Sequence, residues 1–183
     1  KNLLPKKPGA VTDAELKAWL EEPGIPAFAT KARSRNFSNV DTARIAWLGS
    51  NTLPNNQLTA EWGTQEWVRF IDGLGQTVAL DKLAALDRAY HFTGTANGEI
   101  AMRWYPLTIR SGYAEAQPAA GEFIQRVGRR KLIMPIYAEL VKTPEGLAFA
   151  HEVFARAKPG YHPITTGSVE DMLGKADAAA KGE

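Results

Sequence analysis

An all-α fold is predicted for this 183-residue chain. Apolar residues recur at the spacing of one helix face, no stretch keeps the strict alternation of a half-buried strand, and the segments between periodic stretches are short. We expect about eight helices, packed as stacked antiparallel pairs in a two-layer, solenoid-like superhelix of the armadillo or HEAT type. Because no motif of the length of a known helical repeat recurs cleanly, a true repeat array is not predicted.

The first half of the chain contains a linker and five predicted helices. Residues 1–11 hold two prolines, one glycine and three lysines, a composition typical of a linker. Thr12 and Glu15 have the spacing of a capping box, so the first helix begins at Thr12. Periodic apolar residues predict the next helices over 40–48, 60–75 (with Thr59 as N-cap), 79–90 and 99–110.

The second half is predicted to be helical almost throughout. Residues 114–127 precede a helix that opens at "VGRR", and Thr143 followed by Pro144 has the pattern of an N-cap and a first helical residue. Ser168 is expected to cap a short last helix. The prediction is therefore a linker over 1–11, a single helical domain over 12–174 and a frayed tail over 175–183.

Composition excludes several classes of protein and site. The formal net charge is +2, which argues against nucleic acid as a partner, although the basic stretch 126–131 keeps that minor alternative open. The absence of cysteine excludes disulfides, thiolate metal sites and a cysteine nucleophile. No run of about 18 apolar residues occurs, so no membrane segment is expected. The chain begins with "KNLL" rather than Met, and we expect it to be part of a longer protein.

No self-sufficient active site is visible in the sequence. The pair His151–Glu152 lacks the second histidine that a zinc-binding H-E-x-x-H motif needs, so His151 is expected to be half-buried or at an interface. His162 precedes Pro163 and is expected to fix a loop. The five tryptophans could offer a surface for stacking on bases, but their helical spacing favours core packing.

The stretch "VGRRKLIMPIY" over 127–137 is a candidate anion site. Three cations, Arg129, Arg130 and Lys131, open a helix whose first turn already carries partial positive charge. An apolar stripe follows, formed by Leu132, Ile133, Ile136, Tyr137, Leu140 and Val141. Since Arg129 lies one turn before Ile133, we expect it at the buried edge of the helix, where it needs an anionic partner.

Two partners for Arg129 remain open at this point. The guanidinium fork suits the carboxylate of a ligand. It could equally form an internal salt bridge, for example to Glu99, Glu115 or Glu122. Lys131 lies about 200° around a regular helix from Arg129, so the two would share one anion only if the turn is irregular or the long side chains reach around the helix end. Pro135 favours an irregular start, because it cannot donate to the carbonyl of Lys131.

Four motifs in collinear order resemble the C-terminal helical domain of the leukotriene A(4) hydrolase family of gluzincin aminopeptidases. They are "WLEEPGIPAF", "YHFTGTANGEIAMRWYPLTIR", "VGRRKLIMPIYAEL" and "YHPITTGSVEDML". The resemblance extends from about residue 10 to 174. It implies that a zinc domain carrying H-E-x-x-H lies upstream, outside this chain, and that this chain itself holds no metal and is inactive alone.

The resemblance also implies a site and partners. The family motif Gly-Arg-x-Lys, whose Arg and Lys contact the substrate carboxylate, matches Gly128, Arg129 and Lys131, while Arg130 falls at the variable position. The expected partners are a peptide substrate and the upstream catalytic domain of the same polypeptide, with no nucleic acid and no membrane. The expected function is removal of N-terminal residues from peptides. An independent helical scaffold that binds a protein partner is the alternative.

Overall fold

The structure, a computed structural model, describes residues 7–30, 34–50 and 52–182, and in these ranges all regular secondary structure is helical. The predicted all-α class is confirmed. The helices are α1 Asp13–Glu21, α2 Arg35–Ser50, α3 Asn56–Thr59, α4 Thr64–Asp72, α5 Leu80–Tyr90, α6 Gly98–Ser111, α7 Gln117–Arg126, α8 Arg130–Leu140, α9 Pro144–Ala157 and α10 Pro163–Lys181, with 3₁₀ turns at Ala114–Ala116 and Lys158–Gly160.

The chain divides into two compact units, residues 1–34 and residues 35–183. In the first unit, α1 begins with the predicted capping box: the backbone N–H of Glu15 donates to Thr12 Oγ1 at 3.2 Å, and the N–H of Thr12 donates to the Glu15 carboxylate at 2.7 Å. The rings of Trp19 and Phe28 meet edge to face with centroids 6.4 Å apart.

The second unit is built from two layers of helices. Helices α2, α4, α6, α8 and α10 follow one another side by side in one layer, each packed against the next. Helices α7 and α9 pack together in the other layer, with α7 against α6 and α9 against both α8 and α10. From α6 to α10 successive helices therefore alternate between layers, which is the paired arrangement that short connections favour.

A continuous apolar core fills the second unit. Its largest fully buried side chains are Trp47, Trp104, Tyr105, Tyr137, Phe70, Phe123, Leu83, Leu86, Leu107, Ile124, Ile133 and Ile136. Trp62 and Trp67 are partly buried and pack against this core, as predicted for the tryptophans. Trp19, in the first unit, is the exception, since it is 52% exposed.

Several element boundaries differ from those predicted. α2 extends beyond the expected 40–48. The helix expected over 60–75 is shorter, since α4 begins after its N-cap Gly63 and ends at Asp72, and the expected N-cap Thr59 is instead the last residue of the short helix α3. The last helix begins at Pro163 rather than after Ser168, with His162 Nδ1 accepting the N–H of Ile164 at 3.2 Å. This helix continues through Lys181 and so includes most of the expected tail.

Candidate functional site at the amino-terminal edge

The first turns of α4, α6, α8 and α10 lie side by side at one edge of their layer, here called the amino-terminal edge. Asn97, the N-cap of α6, donates from Nδ2 to Thr64 Oγ1 at the start of α4, at 2.8 Å. Thr165 Oγ1 in α10 donates to the carbonyl of Gly128, just before α8, at 3.3 Å. Because these helices run parallel, the positive ends of their dipoles gather at this edge.

Helix α8 begins regularly at this edge. Arg129 is its N-cap, with an extended backbone (φ −75°, ψ 111°), and its carbonyl accepts the N–H groups of Leu132 at 2.9 Å and Ile133 at 3.3 Å. Pro135 lies inside the helix without ending it. The predicted stripe is confirmed, with Leu132, Ile133, Ile136, Tyr137 and Leu140 buried and Val141 partly buried.

The three cations at the start of α8 diverge. Lys131 Nζ reaches towards α6 and forms an ion pair with Glu99 Oε1 at 2.6 Å. Arg130 turns the other way, and its Nε donates to Ser168 Oγ in α10 at 2.8 Å. Arg129 is exposed, and among the residues that the structure describes its side chain forms no hydrogen bond or ion pair.

The expected burial of Arg129 is wrong. The expectation extended the helical stripe backward by one turn from Ile133, but Arg129 has the extended backbone of an N-cap, so its side chain leaves the helix in another direction. None of Glu99, Glu115 and Glu122 is its partner in the described part of the chain.

Glu99 lies in the first turn of α6 and is the centre of a charge cluster. Besides Lys131, its carboxylate accepts from Arg103 Nη1 at 3.2 Å, and Arg103 Nε in turn donates to Asp72 Oδ2 in α4 at 3.0 Å. The hydrogen bond from Lys131 is the largest cause that lowers the pKa of the Glu99 carboxyl below its ordinary value, and the charges of Lys131 and Arg103 act in the same direction. Sequence reasoning named Glu99 only as a partner for Arg129, because it had no signal for a contact between residues 32 apart.

A second polar cluster, between α2 and α4, was not predicted. Asp41 binds the guanidinium of Arg69 through both carboxylate oxygens, at 3.1 and 2.6 Å, and also accepts from Arg44 at 3.1 Å. The bond from Arg69 is the largest cause that lowers the pKa of Asp41. Arg44 also donates to the carbonyl of Gly73, where a side chain would collide with the guanidinium. This cluster ties two helices of one layer together.

The histidines and acids supply no metal site in the described ranges. His151 Nε2 lies 2.9 Å from Asp177 Oδ1, so this histidine sits where α9 meets α10, and His162 caps α10. No group of three His, Asp or Glu side chains in residues 7–30, 34–50 and 52–182 could hold a metal ion. The described residues therefore offer no set of ligands for a zinc ion. In the same ranges no helix has both the length and the apolar character to cross a bilayer.

Comparison with known proteins identifies similar chains. Residues 62–173 match the family model described as leukotriene A4 hydrolase, C-terminal. Leucine aminopeptidase 2 of Neurospora crassa is 26% identical over 136 residues, which cover 73% of this chain and 20% of that protein. Aminopeptidase B of Mus musculus is 23% identical over 184 residues, which cover 94% of this chain and 28% of that protein. The chain thus spans about a fifth to a quarter of the length of these relatives.

A solved structure shows the same fold. The structure of native yeast LTA4 hydrolase superimposes with a TM-score of 0.77 over 94% of this chain and 31% of that one, at 20% sequence identity. At this identity the likeness concerns the fold alone. The two-layer helical architecture is therefore one that a solved structure already contains.

Proposed function

The chain belongs to the leukotriene A4 hydrolase C-terminal family, and from this premise we propose that it is the C-terminal domain of a longer zinc aminopeptidase. In this proposal the longer protein removes N-terminal residues from peptides, and its hydrolytic chemistry resides upstream of the helical domain. The amino-terminal edge forms one wall of the substrate cleft and binds the carboxylate at the far end of the peptide.

One observation carries this proposal: the guanidinium of Arg129 at the N-terminus of α8 is exposed and has no partner among the residues that the structure describes. An arginine at a helix N-terminus is electrostatically unfavourable unless an anion binds beside it. Its planar fork can hold both oxygens of a carboxylate. The first backbone N–H groups of α8 have no intrahelical partner, so they add donors to the same place.

The chemical contribution of such a site is positioning. A peptide fixed at its C-terminal carboxylate has a defined register, so its N-terminal residue reaches the reacting groups in one orientation. Holding a substrate in a productive geometry can lower the barrier by several kcal/mol, and a contact far from the cleaved bond can therefore affect the rate.

Lys131 has a different role from Arg129 in this proposal. Its ammonium has three donors, one of which serves Glu99, and its side chain is 54% exposed. Lys131 can add a secondary contact through its remaining donors, but Glu99 already neutralises its charge, so Arg129 makes the main contact with the substrate carboxylate. The resulting site has one free guanidinium and one shared ammonium.

Arg129→Ala in the full-length protein tests the proposal. We expect kcat/KM for a tripeptide with a free C-terminus to fall about 10- to 100-fold, because hydrogen bonds to charged groups are worth about 1.5–3 kcal/mol. The same tripeptide with a C-terminal amide should lose far less, since it lacks the carboxylate. Steady-state kinetics on the two peptides give the comparison.

Arg88→Ala is the matched control, because Arg88 is also an exposed arginine, near the end of α5 and outside the amino-terminal edge. It should leave both substrates unaffected. An equal loss on the free and amidated peptides in Arg129→Ala would count against carboxylate binding. Such a result would favour a helical scaffold whose edge serves another purpose.

A further inference from the structure

Glu99 is held at the amino-terminal edge by contacts from α6 and α8, and α4 supports it indirectly. Asn97 Oδ1 accepts its backbone N–H at 3.1 Å, which fixes the first turn of α6. Lys131 of α8 and Arg103 one turn further along α6 bind its carboxylate, and Asp72 of α4 braces Arg103. The side chain of Glu99 is 33% exposed, so it is in contact with solvent at the edge where the substrate carboxylate would arrive.

The charges of this cluster cancel. Asp72 and Glu99 contribute two negative charges, and Arg103 and Lys131 two positive ones. Arg130 contacts uncharged Ser168 on the opposite flank of α8, and Arg129 forms no ion pair with any residue that the structure describes. The uncompensated positive charge at the start of α8 therefore belongs to Arg129 and Arg130, whereas the charge of Lys131 is neutralised by Glu99.

A second anion beside Lys131 would meet Glu99. An anion bound to the ammonium lies within a few ångströms of the Glu99 carboxylate, since one ammonium separates the two. At that distance the repulsion between two carboxylates near a protein surface is substantial. The C-terminal carboxylate of a peptide can avoid this repulsion by binding to Arg129. A second carboxylate, on the side chain of the peptide's last residue, cannot.

We propose that Glu99 is a specificity-determining residue, which limits the edge to peptides with one C-terminal carboxylate and disfavours those that end in Asp or Glu. This inference rests on the proposed function, because it assumes that a peptide C-terminus binds at Arg129. Glu99 acts through Lys131: it neutralises the ammonium that would otherwise accept the second carboxylate.

The experiment compares two tripeptides with free C-termini that differ only in their last residue, Glu or the isosteric Gln. In the full-length protein, Glu99→Gln keeps the shape of the side chain and removes its charge. We expect kcat/KM for the Glu-ended peptide to rise about three- to tenfold, through KM, while the value for the Gln-ended peptide changes less than about twofold. The double variant Glu99→Gln with Lys131→Met should lose this gain.

Glu139→Gln is the matched control. Glu139 also binds an arginine of α6 and a lysine, Arg110 at 3.0 Å and Lys142 at 2.7 Å, but at the opposite end of α8. Its substitution should leave the preference between the two peptides unchanged. Thermal unfolding of each variant checks that the fold is kept. Lys131→Met alone provides a second test, since it removes the cation paired with Glu99 and should strengthen the preference against the Glu-ended peptide.

Two results would overturn the inference: an unchanged preference in Glu99→Gln, or the same gain in Glu139→Gln. These results are distinct from failure of the proposed function. If Arg129→Ala discriminates between free and amidated peptides while Glu99→Gln leaves the Glu/Gln preference intact, the carboxylate site stands and only the role of Glu99 fails. If Arg129→Ala does not discriminate, the proposed function fails first.

Discussion

Arg129, Arg130 and Lys131 are neighbours in sequence but have three different environments. Successive residues of a helix point about 100° apart, so Arg130 and Lys131 reach the helices on either side of α8. Arg129 precedes the helix, and its guanidinium has no partner in the described part of the chain. Helix α8 lies within its layer and thus separates three like charges, which would repel one another if their side chains pointed in the same direction. At the scale of single residues, the free cation is the one expected to bind a ligand.

Titration of Glu99 is the first prediction at this scale. Because its pKa is depressed in the folded chain, the ion pair with Lys131 contributes stability above the ordinary glutamate pKa, and that contribution is lost as pH falls through the folded value. Carboxyl NMR of the 183-residue chain should give Glu99 a pKa below about 4.3, the usual value. Lys131→Met should raise it, whereas Lys142→Met should not. Identical titration in all three proteins would contradict the pairing.

The sequence predicted the helix within the stretch 127–137 but only part of the geometry at its start. Helical periodicity predicted the buried stripe from Leu132 to Leu140, because α8 is regular throughout that length. It failed for Arg129, where the backbone is not yet helical. Periodicity could not predict the partner of Lys131. The contact with Glu99 depends on how α6 and α8 are placed side by side, and no local pattern encodes that placement.

At the scale of elements, boundaries were predictable where a cap of familiar chemistry occurs. Thr143 accepts the N–H of Gly146 at 3.1 Å and Pro144 follows it, as predicted for the start of α9. The start of α10 was missed because its cap is a histidine, His162, which is not among the common N-cap residues. Proline at the first helical position was the remaining signal there.

Gly146 in the first turn of α9 carries the prediction at this scale. A Cβ at this position would collide with the carbonyl oxygen of Leu140, a backbone atom that cannot move aside without shifting the connection between α8 and α9. We expect Gly146→Ala to lower the free energy of unfolding by about 1–3 kcal/mol, the range for overpacked sites. Chemical denaturation followed by circular dichroism measures the loss.

Gly167→Ala is the control for this substitution. Gly167 lies in α10, and a Cβ there would have no atom within 4 Å. The same change of residue should stabilise the protein by about 0.5–1 kcal/mol, because alanine favours a helix over glycine. Gly146→Ala and Gly167→Ala should therefore have opposite signs. If both stabilise, the close approach between Gly146 and Leu140 does not constrain α9.

At the scale of the whole molecule, the fold class followed from periodicity and short connections, whereas the core depends on distant contacts. In the second unit a run of aromatic rings joins three helices and the segment before α6. The ring of Trp67 in α4 lies tilted against that of Tyr90 at the end of α5. The ring centroid of Phe92 is 5.1 Å from those of both Trp67 and Trp104 of α6. Trp104 in turn contacts Tyr113 edge to face. Spacing along the chain predicted that most tryptophans are buried, but not which rings meet.

Trp104 lies in the middle of this run and tests whether it holds the unit together. Its side chain is fully buried, and Nε1–H donates to Thr93 Oγ1 at 3.0 Å. Trp104→Ala should cost about 3–5 kcal/mol, a large part of the roughly 5–15 kcal/mol that stabilises a typical domain. Trp104→Phe retains most of the ring volume and should cost less, so that a folded variant remains measurable. Trp19→Ala, at the half-exposed tryptophan of the first unit, should change the free energy of unfolding, measured in urea, by less than about 1 kcal/mol. Equal losses at Trp104 and Trp19 would show that the aromatic run is not the centre of the core.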